Sequence, residues 1–104
     1  MDEGNTMKIG LLVRIEAKPE FADQVESALR GARQLADEEQ ATVAWFAFRQ
    51  SPTVFGVFDT FDDEDGRKAH LAGRIAAALG EMAQTMLATA PTIAEVDLLA
   101  VKVP

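Results

Sequence analysis

Residues 42–61 read TVAWFAFRQSPTVFGVFDTF, two apolar runs separated by a short polar connection. Successive side chains of a strand point to opposite faces of a sheet, so each run places large apolar residues on both faces. Pro52 in the connection suits a turn rather than a central strand. The stretch therefore predicts an antiparallel β-hairpin with strands Thr42–Arg49 and Thr53–Phe61.

Two more strands and a long helix flank this hairpin in the sequence. Alternating apolar residues predict strands over Lys8–Glu16 and Ile93–Val103. Between the first strand and the hairpin, apolar residues recur at helical spacing and predict an amphipathic helix over Glu20–Glu38. Pro19 lies where a first helical turn tolerates proline.

A second helical stretch follows the hairpin. Asp62 can cap it, and the acidic residues that come next favour the positive end of a helix. The apolar stripe runs from about Asp63 towards Leu79 and on to Met86, with glycines at 73 and 80 that allow a bend. The order β-α-β-β-α-β, with right-handed crossovers, closes most simply as a ferredoxin-like α+β sandwich with a four-stranded antiparallel sheet.

This topology leaves one face of the sheet without helices. Several large apolar side chains fall on that face, and burying each of them is worth about 1.5–3 kcal/mol. Such a patch exceeds what a soluble monomer usually exposes. A second copy of the chain is the simplest cover, so we expect a homodimer formed through the sheet face.

Composition limits the classes of function. The 104 residues predict one domain, residues 8–104, after a loose leader at residues 1–7. A net charge of −7 argues against binding to nucleic acid or anionic membranes, and the absence of cysteine excludes disulfides and thiolate chemistry. No signal-peptide pattern and no run long enough to cross a bilayer is found, so we expect a cytoplasmic protein.

Five segments carry a resemblance to a known family: GLLVRI at 10–15, WFAFR at 45–49, FGVFDTF at 55–61, DDEDGRKAHL at 62–71 and VDLLAVK at 96–102. In these segments the sequence resembles the antibiotic biosynthesis monooxygenase domain family, within the dimeric α+β barrel superfamily. The resemblance implies a dimer with two sheets packed face to face and a pocket in each subunit between sheet and helices. It also implies oxygenation of electron-rich aromatics, quinols or polyketide-like molecules without flavin or metal, so no cofactor is expected.

His70, the only histidine, is the candidate catalytic residue. An ordinary pKa near 6.5 would let it accept the hydroxyl proton of a phenol or quinol at neutral pH. The alternative is a partly buried structural histidine that pairs with Asp59 or Asp63. A single histidine among scattered carboxylates does not predict a metal site.

Candidate substrate-binding residues are aromatic side chains that could line an apolar pocket and arginines that could bind an enolate or carboxylate. The alternatives are packing in the core or the dimer interface for the aromatics, and surface ion pairs for the arginines. The candidates are Trp45, Phe46, Phe48, Phe58, Arg14 and Arg67.

Two functions and one structural alternative remain open at this point. The first function is a small monooxygenase without cofactor, in which His70 is the base. The second is a dimeric module without enzymatic activity, which binds a small apolar molecule or serves in a stress response. The structural alternative is a dimer whose core is fully packed and has no cavity.

Overall fold

The computed structural model describes residues 7–104, so the predicted leader lies outside the described residues except for Met7. The strands form one antiparallel sheet in the order β2-β3-β1-β4, and the helices lie on one side of it. The predicted ferredoxin-like α+β fold is confirmed. Its elements are β1 (Ile9–Glu16), α1 (Ala22–Glu38), β2 (Thr42–Arg49), β3 (Val54–Phe61), α2 (Glu64–Leu71), α3 (Arg74–Thr85) and β4 (Thr92–Asp97).

The two helical regions begin and end for local reasons. Pro19 opens a single 3₁₀ turn before α1, so the predicted helix begins slightly later as an α-helix. Asp63, rather than the predicted Asp62, caps α2, because its Oδ1 accepts a hydrogen bond from the amide of Gly66 at 3.0 Å. The chain breaks between α2 and α3 at Gly73, as predicted, but Gly80 lies within α3 and does not interrupt it.

The last strand is shorter than predicted. It ends at Asp97, which pairs with Ile9, the first residue of β1. The amide of Leu98 still donates to the carbonyl of Lys8 at 2.8 Å. Within residues 7–104, no strand pairs with 98–103, and Leu99 is almost completely exposed.

The two faces of the sheet differ in how they are covered. Leu11, Ile15 and Phe55 face the helices and form the centre of the buried core. On the opposite face, Phe46 and Phe48 remain 55% and 42% exposed in the single chain. We call that side the open face; its apolar character is the one predicted from the sequence.

One glycine is required for packing on the open face. The ring of Phe48 lies directly over Gly56, where a Cβ atom would come within 2.2 Å of the ring. An aromatic ring therefore fills the space that a side chain at 56 would need. Within residues 7–104, no helix has both the length and the apolar character required to cross a bilayer.

Candidate functional site

A group of three ionisable side chains, two of them buried, lies between the sheet and the helices. His70, in the last turn of α2, is only 6% exposed. Its Nδ1 lies 2.6 Å from Oε1 of Glu39, and its Nε2 lies 2.9 Å from Oδ2 of Asp59. We call these three side chains the histidine cluster.

Three elements bring the cluster together. Asp59 lies in β3 on the face toward the helices, and Glu39 follows the last residue of α1. The hydroxyl of Thr42 donates to Oε1 of Glu39 at 2.7 Å and so orients that carboxylate. Gly73 allows the close approach of Glu39, because a Cβ atom there would lie 3.0 Å from the carboxylate.

The carboxylates hold His70 in its charged form. Burial alone disfavours the imidazolium and would lower its pKa, but the contacts with Asp59 and Glu39 outweigh burial and raise the pKa of His70 to about 9. The ring is therefore protonated at neutral pH, with a carboxylate at each nitrogen. This geometry does not fit the predicted role of His70 as a free base that takes a proton directly from substrate.

Asp59 is the least satisfied member of the cluster. Its side chain is completely buried, and neither oxygen forms a well-aligned hydrogen bond with any described residue. The 2.9 Å contact of Oδ2 with Nε2 of His70 is an ion pair, and Oδ1 has no partner among residues 7–104. Trp45 pairs with Asp59 across β2 and β3, and its Nε1–H also lacks a partner within residues 7–104.

An apolar cavity of about 130 Å³ adjoins the histidine cluster. We call it the inner cavity; it lies between the sheet and helices α1 and α3. His70 is the only ionisable residue of its lining, and the others are aliphatic or methionine side chains. A site of this kind is mainly apolar and holds few polar groups, as small-molecule sites usually do.

A second, larger depression of about 470 Å³ lies at the edge strand β2, where it meets α1. We call it the outer groove. Arg30, Arg33 and Arg49 contribute cations to it. Arg49 donates to Glu26 at 2.8 Å, and this hydrogen bond lowers the pKa of the Glu26 carboxyl.

The predicted aromatic residues do not gather at the inner cavity. Trp45, Phe46 and Phe48 line the outer groove, although Trp45 also packs against the core. Phe58 lies on the open face, where its ring covers Gly10. Only His70, among the predicted site residues, lines the inner cavity.

The two predicted arginines are engaged elsewhere. Arg14 is exposed and lies 3.3 Å from Glu16, which is the surface ion pair that the alternative interpretation described. Arg67 is buried; it donates to the carbonyl of Gly10 at 3.2 Å and to the carboxylate of Glu64 at 3.0 and 2.7 Å. Arg67 therefore ties α2 to β1, and neither arginine lines the inner cavity or the outer groove.

The sequence patterns do not predict Glu39 as a site residue, and they predict Asp59 only as a structural partner of His70. Asp59 does leave a signal, since a carboxylate interrupts the buried face of an otherwise apolar strand. Glu39 leaves none, because it belongs to an acidic run at a helix end. The two carboxylates lie at opposite nitrogens of the imidazole ring, and the described residues contain no group of three ligands that converges on one metal ion.

Comparison with known proteins relates the chain to several solved structures. A protein of unknown function from Nitrosomonas europaea, NE2512, is 50% identical, with a TM-score of 0.93 and coverage of 97% of this chain and 98% of that one. PA3566 from Pseudomonas aeruginosa is 18% identical, with a TM-score of 0.77 over 93% of this chain and 100% of that one. A protein named antibiotic biosynthesis monooxygenase is 18% identical, with a TM-score of 0.77 over 88% and 99%. No protein-family model and no curated protein matches the sequence.

Proposed function

This chain belongs to the same family as NE2512 of Nitrosomonas europaea and has the fold of antibiotic biosynthesis monooxygenases, and we propose that it is itself a monooxygenase. It is cytoplasmic, needs no cofactor, and oxidises an electron-rich aromatic, quinol or polyketide-like molecule. The observation that carries the proposal is the inner cavity, an apolar space whose single ionisable lining residue belongs to the histidine cluster.

The chemistry requires a substrate that supplies all the electrons. A phenol with a free ring position, for example, reacts with dioxygen to give a quinone and water: one oxygen atom enters the ring, and the other leaves as water with the two hydrogens that the ring carbon and the hydroxyl lose. The first step separates the hydroxyl proton from the electron that dioxygen accepts. A cavity without water protects the reactive intermediates.

The histidine cluster supplies positive charge at the cavity in this scheme: His70 lines the cavity as an imidazolium and stabilises the phenolate that remains when the hydroxyl proton leaves. The carboxylates of Glu39 and Asp59 lie 2.6 and 2.9 Å from the ring nitrogens and keep this cation in place. His70 remains the candidate catalytic residue, but as the cation that holds the cluster together rather than as a free base. Arg14, Arg67 and Phe58 have no part in this scheme, because each is engaged away from the cavity.

We also propose that the active form is a homodimer through the open face. Leu12, Phe46 and Phe48 are all more than 40% exposed on that face of the single chain. A partner sheet packed on them removes a contiguous apolar patch from water. The dimer also brings Phe46 and Phe48, which line the outer groove, into the interface.

Oxygen uptake by the purified protein tests the activity. We expect consumption of dioxygen with hydroquinones or menadiol and formation of an oxygenated product. His70→Gln, which removes the imidazolium, is expected to lower the turnover at least about 100-fold, in the range of general acid–base effects. Leu87→Ala is the control, because it weakens the core away from the cavity lining and should leave turnover of the folded protein unchanged.

A binding protein without activity is the second candidate. It is favoured by the fact that both nitrogens of His70 are already engaged, as in a structural histidine. If a ligand raises the melting temperature and is recovered unchanged after incubation in air, this second function is correct and the monooxygenase proposal fails.

A further inference from the structure

The outer groove and the inner cavity are neighbouring spaces separated by one side chain. Within residues 7–104, Leu29 is the only residue that lines both of them. It is a core residue, 7% exposed, with the groove of about 470 Å³ on one side and the cavity of about 130 Å³ on the other. The side chain of Leu29 is therefore a wall between a surface groove and an internal cavity.

The helical spacing of α1 explains why this residue forms the boundary. Successive residues of an α-helix point about 100° apart around its axis. Measured from Ala28, Ala32 lies at about 40°, and both alanines line the cavity. Arg33 and Arg30 lie at about 140° and 200°, and both line the groove. Leu29, at about 100°, points between the two sets.

The sheet has its boundary at the same place. Ile15 in β1 lines the cavity, Phe55 in β3 lines the groove, and the two residues are directly paired across these strands. Both belong with Leu29 to one cluster of buried residues. On the helical side, the two spaces are therefore kept apart by the width of a single side chain.

We propose that Leu29 is the specificity-determining residue of the inner cavity and sets the largest ligand that the cavity accepts. An apolar protein cavity of about 150 Å³ holds benzene, and the inner cavity has a similar size. A longer substituent on the α1 side of such a ligand meets Leu29; with a smaller residue at this position, it passes into the groove. The inference rests on the proposed function for the choice of the cavity as the substrate site.

Binding of toluene and butylbenzene tests the proposal, with affinities taken from the rise of the melting temperature with ligand concentration. We expect the native protein to bind toluene at least about 10-fold more tightly, since even one methylene that does not fit an apolar pocket costs about 10–200-fold. Leu29→Ala should reverse this order. An unchanged order in the variant overturns the proposal. Equal binding of both ligands by the native protein also overturns it, because the butyl chain would then leave the cavity past the half-exposed Leu71 and Ile93.

Val25→Ala is the matched control. Val25 lies one turn before Leu29 on α1, is completely buried and lines neither space. Its truncation leaves a void in the core but not in the wall, so toluene should remain the preferred ligand. Reversal in both variants would show that loosening of α1 admits the longer ligand, and it would overturn the role of Leu29.

A milder substitution keeps the test decisive if Leu29→Ala does not fold. Leu29→Val shortens the side chain by one carbon and should reduce the preference for toluene by at least about 3-fold, in line with the transfer free energy of one methylene. An unchanged preference in this variant contradicts the proposal.

Trp45 reports where the longer ligand lies. It is the only tryptophan of the chain, lines the groove but not the cavity, and packs against the buried cluster that contains Leu29. Butylbenzene bound to Leu29→Ala should therefore change the fluorescence of Trp45, whereas toluene, confined to the cavity, should leave it nearly unchanged. Binding of butylbenzene without a change in fluorescence would mean that its chain does not enter the groove, and the proposal would fail.

Oxygen consumption separates failure of this inference from failure of the proposed function. In an active monooxygenase, Leu29→Ala should raise kcat/KM for menadiol, which has two fused rings, at least about 10-fold relative to kcat/KM for hydroquinone, which has one. The expected binding changes without any oxygen consumption leave the inference standing and refute the monooxygenase. Oxygen consumption with an unchanged ratio of the two substrates supports the monooxygenase and refutes the inference.

Discussion

At the scale of single residues, the histidine cluster is the main group of interacting charges between the sheet and the helices. An imidazolium between two carboxylates is stable in a buried place only while all three charges are present. The cluster joins the end of α1, the last turn of α2 and the middle of β3, so it fixes the side of the cavity that carries the polar groups.

The first prediction concerns the loss of the imidazolium. His70→Gln leaves the buried carboxylate of Asp59 and the partly exposed carboxylate of Glu39 without their cation, and we expect the free energy of unfolding to fall by about 2–5 kcal/mol. Urea unfolding at pH 7 measures it. Arg74→Gln breaks an exposed ion pair with Glu38 and should cost less than about 1 kcal/mol. A loss for His70→Gln no larger than that of this control contradicts the prediction.

The second prediction is the pH dependence of stability. His70 has a pKa of about 9 in the folded chain and an ordinary value near 6.5 when unfolded. Between these values the folded state holds a proton that the unfolded state has lost. The stabilisation from this group is therefore complete below pH 6.5 and is lost as the pH rises through 9.

We expect the free energy of unfolding to decrease by about 1–3 kcal/mol from pH 6.5 to pH 9.5 through this group. Urea titrations across the range measure the change. Because other groups also titrate, His70→Gln is the reference. The variant should show a clearly flatter dependence, and an equal slope in both proteins would mean that His70 is not the group responsible.

At the scale of the elements, packing on the sheet depends on glycines, which leave space, as well as on the side chains that fill it. The ring of Phe48 in β2 covers Gly56 in β3, and the two residues are directly paired across the hairpin. The hairpin predicted from the sequence therefore contains a specific contact between an aromatic ring and a glycine. Only a glycine at this position leaves room for the ring of Phe48, so the contact favours this pairing register of β2 and β3.

The third prediction tests this contact. Gly56→Ala places a methyl group against the ring of Phe48, which must move, and we expect a loss of about 1–3 kcal/mol in the free energy of unfolding. Gly80→Ala is the matched control. It lies in α3 with open space around it, so it should stabilise the protein by up to about 1 kcal/mol. Equal effects of the two substitutions, measured by thermal or urea unfolding, would exclude the steric explanation.

At the scale of the whole molecule, the open face is an apolar surface that a single chain leaves exposed to water. The helices cover only the other side of the sheet, and large apolar side chains remain exposed opposite them. The free energy gained by covering such a patch is the physical basis of the proposed homodimer.

The fourth prediction is therefore a test of assembly. Sedimentation velocity at low micromolar concentration should give a dimer, and Phe46→Lys on the open face should shift it to the monomer. Leu71→Lys adds the same charge at an apolar residue of similar exposure on the helical side and should leave the dimer intact. A monomeric native protein, or dissociation by both substitutions, would refute an interface on the open face.

Much of the fold follows from local patterns that the sequence displays directly. The hairpin, α1 and the break at Gly73 depend on alternation, helical spacing and glycine placement, which act between near neighbours. The end of β4 does not follow from such patterns: Ile93–Val103 alternates throughout, but among the described residues only the part beside β1 is paired. Length of a strand is decided by its neighbour in the sheet.

The candidate site divides in the same way. The sequence by itself determined the topology, the apolar open face and His70 as the one histidine that chemistry could use. Only the tertiary structure decided that Glu39 and Asp59 meet that ring, that the predicted aromatics lie elsewhere, and that a cavity of about 130 Å³ adjoins the cluster. Charge state, burial and empty volume arise from side chains distant in sequence, so no periodicity along the chain records them.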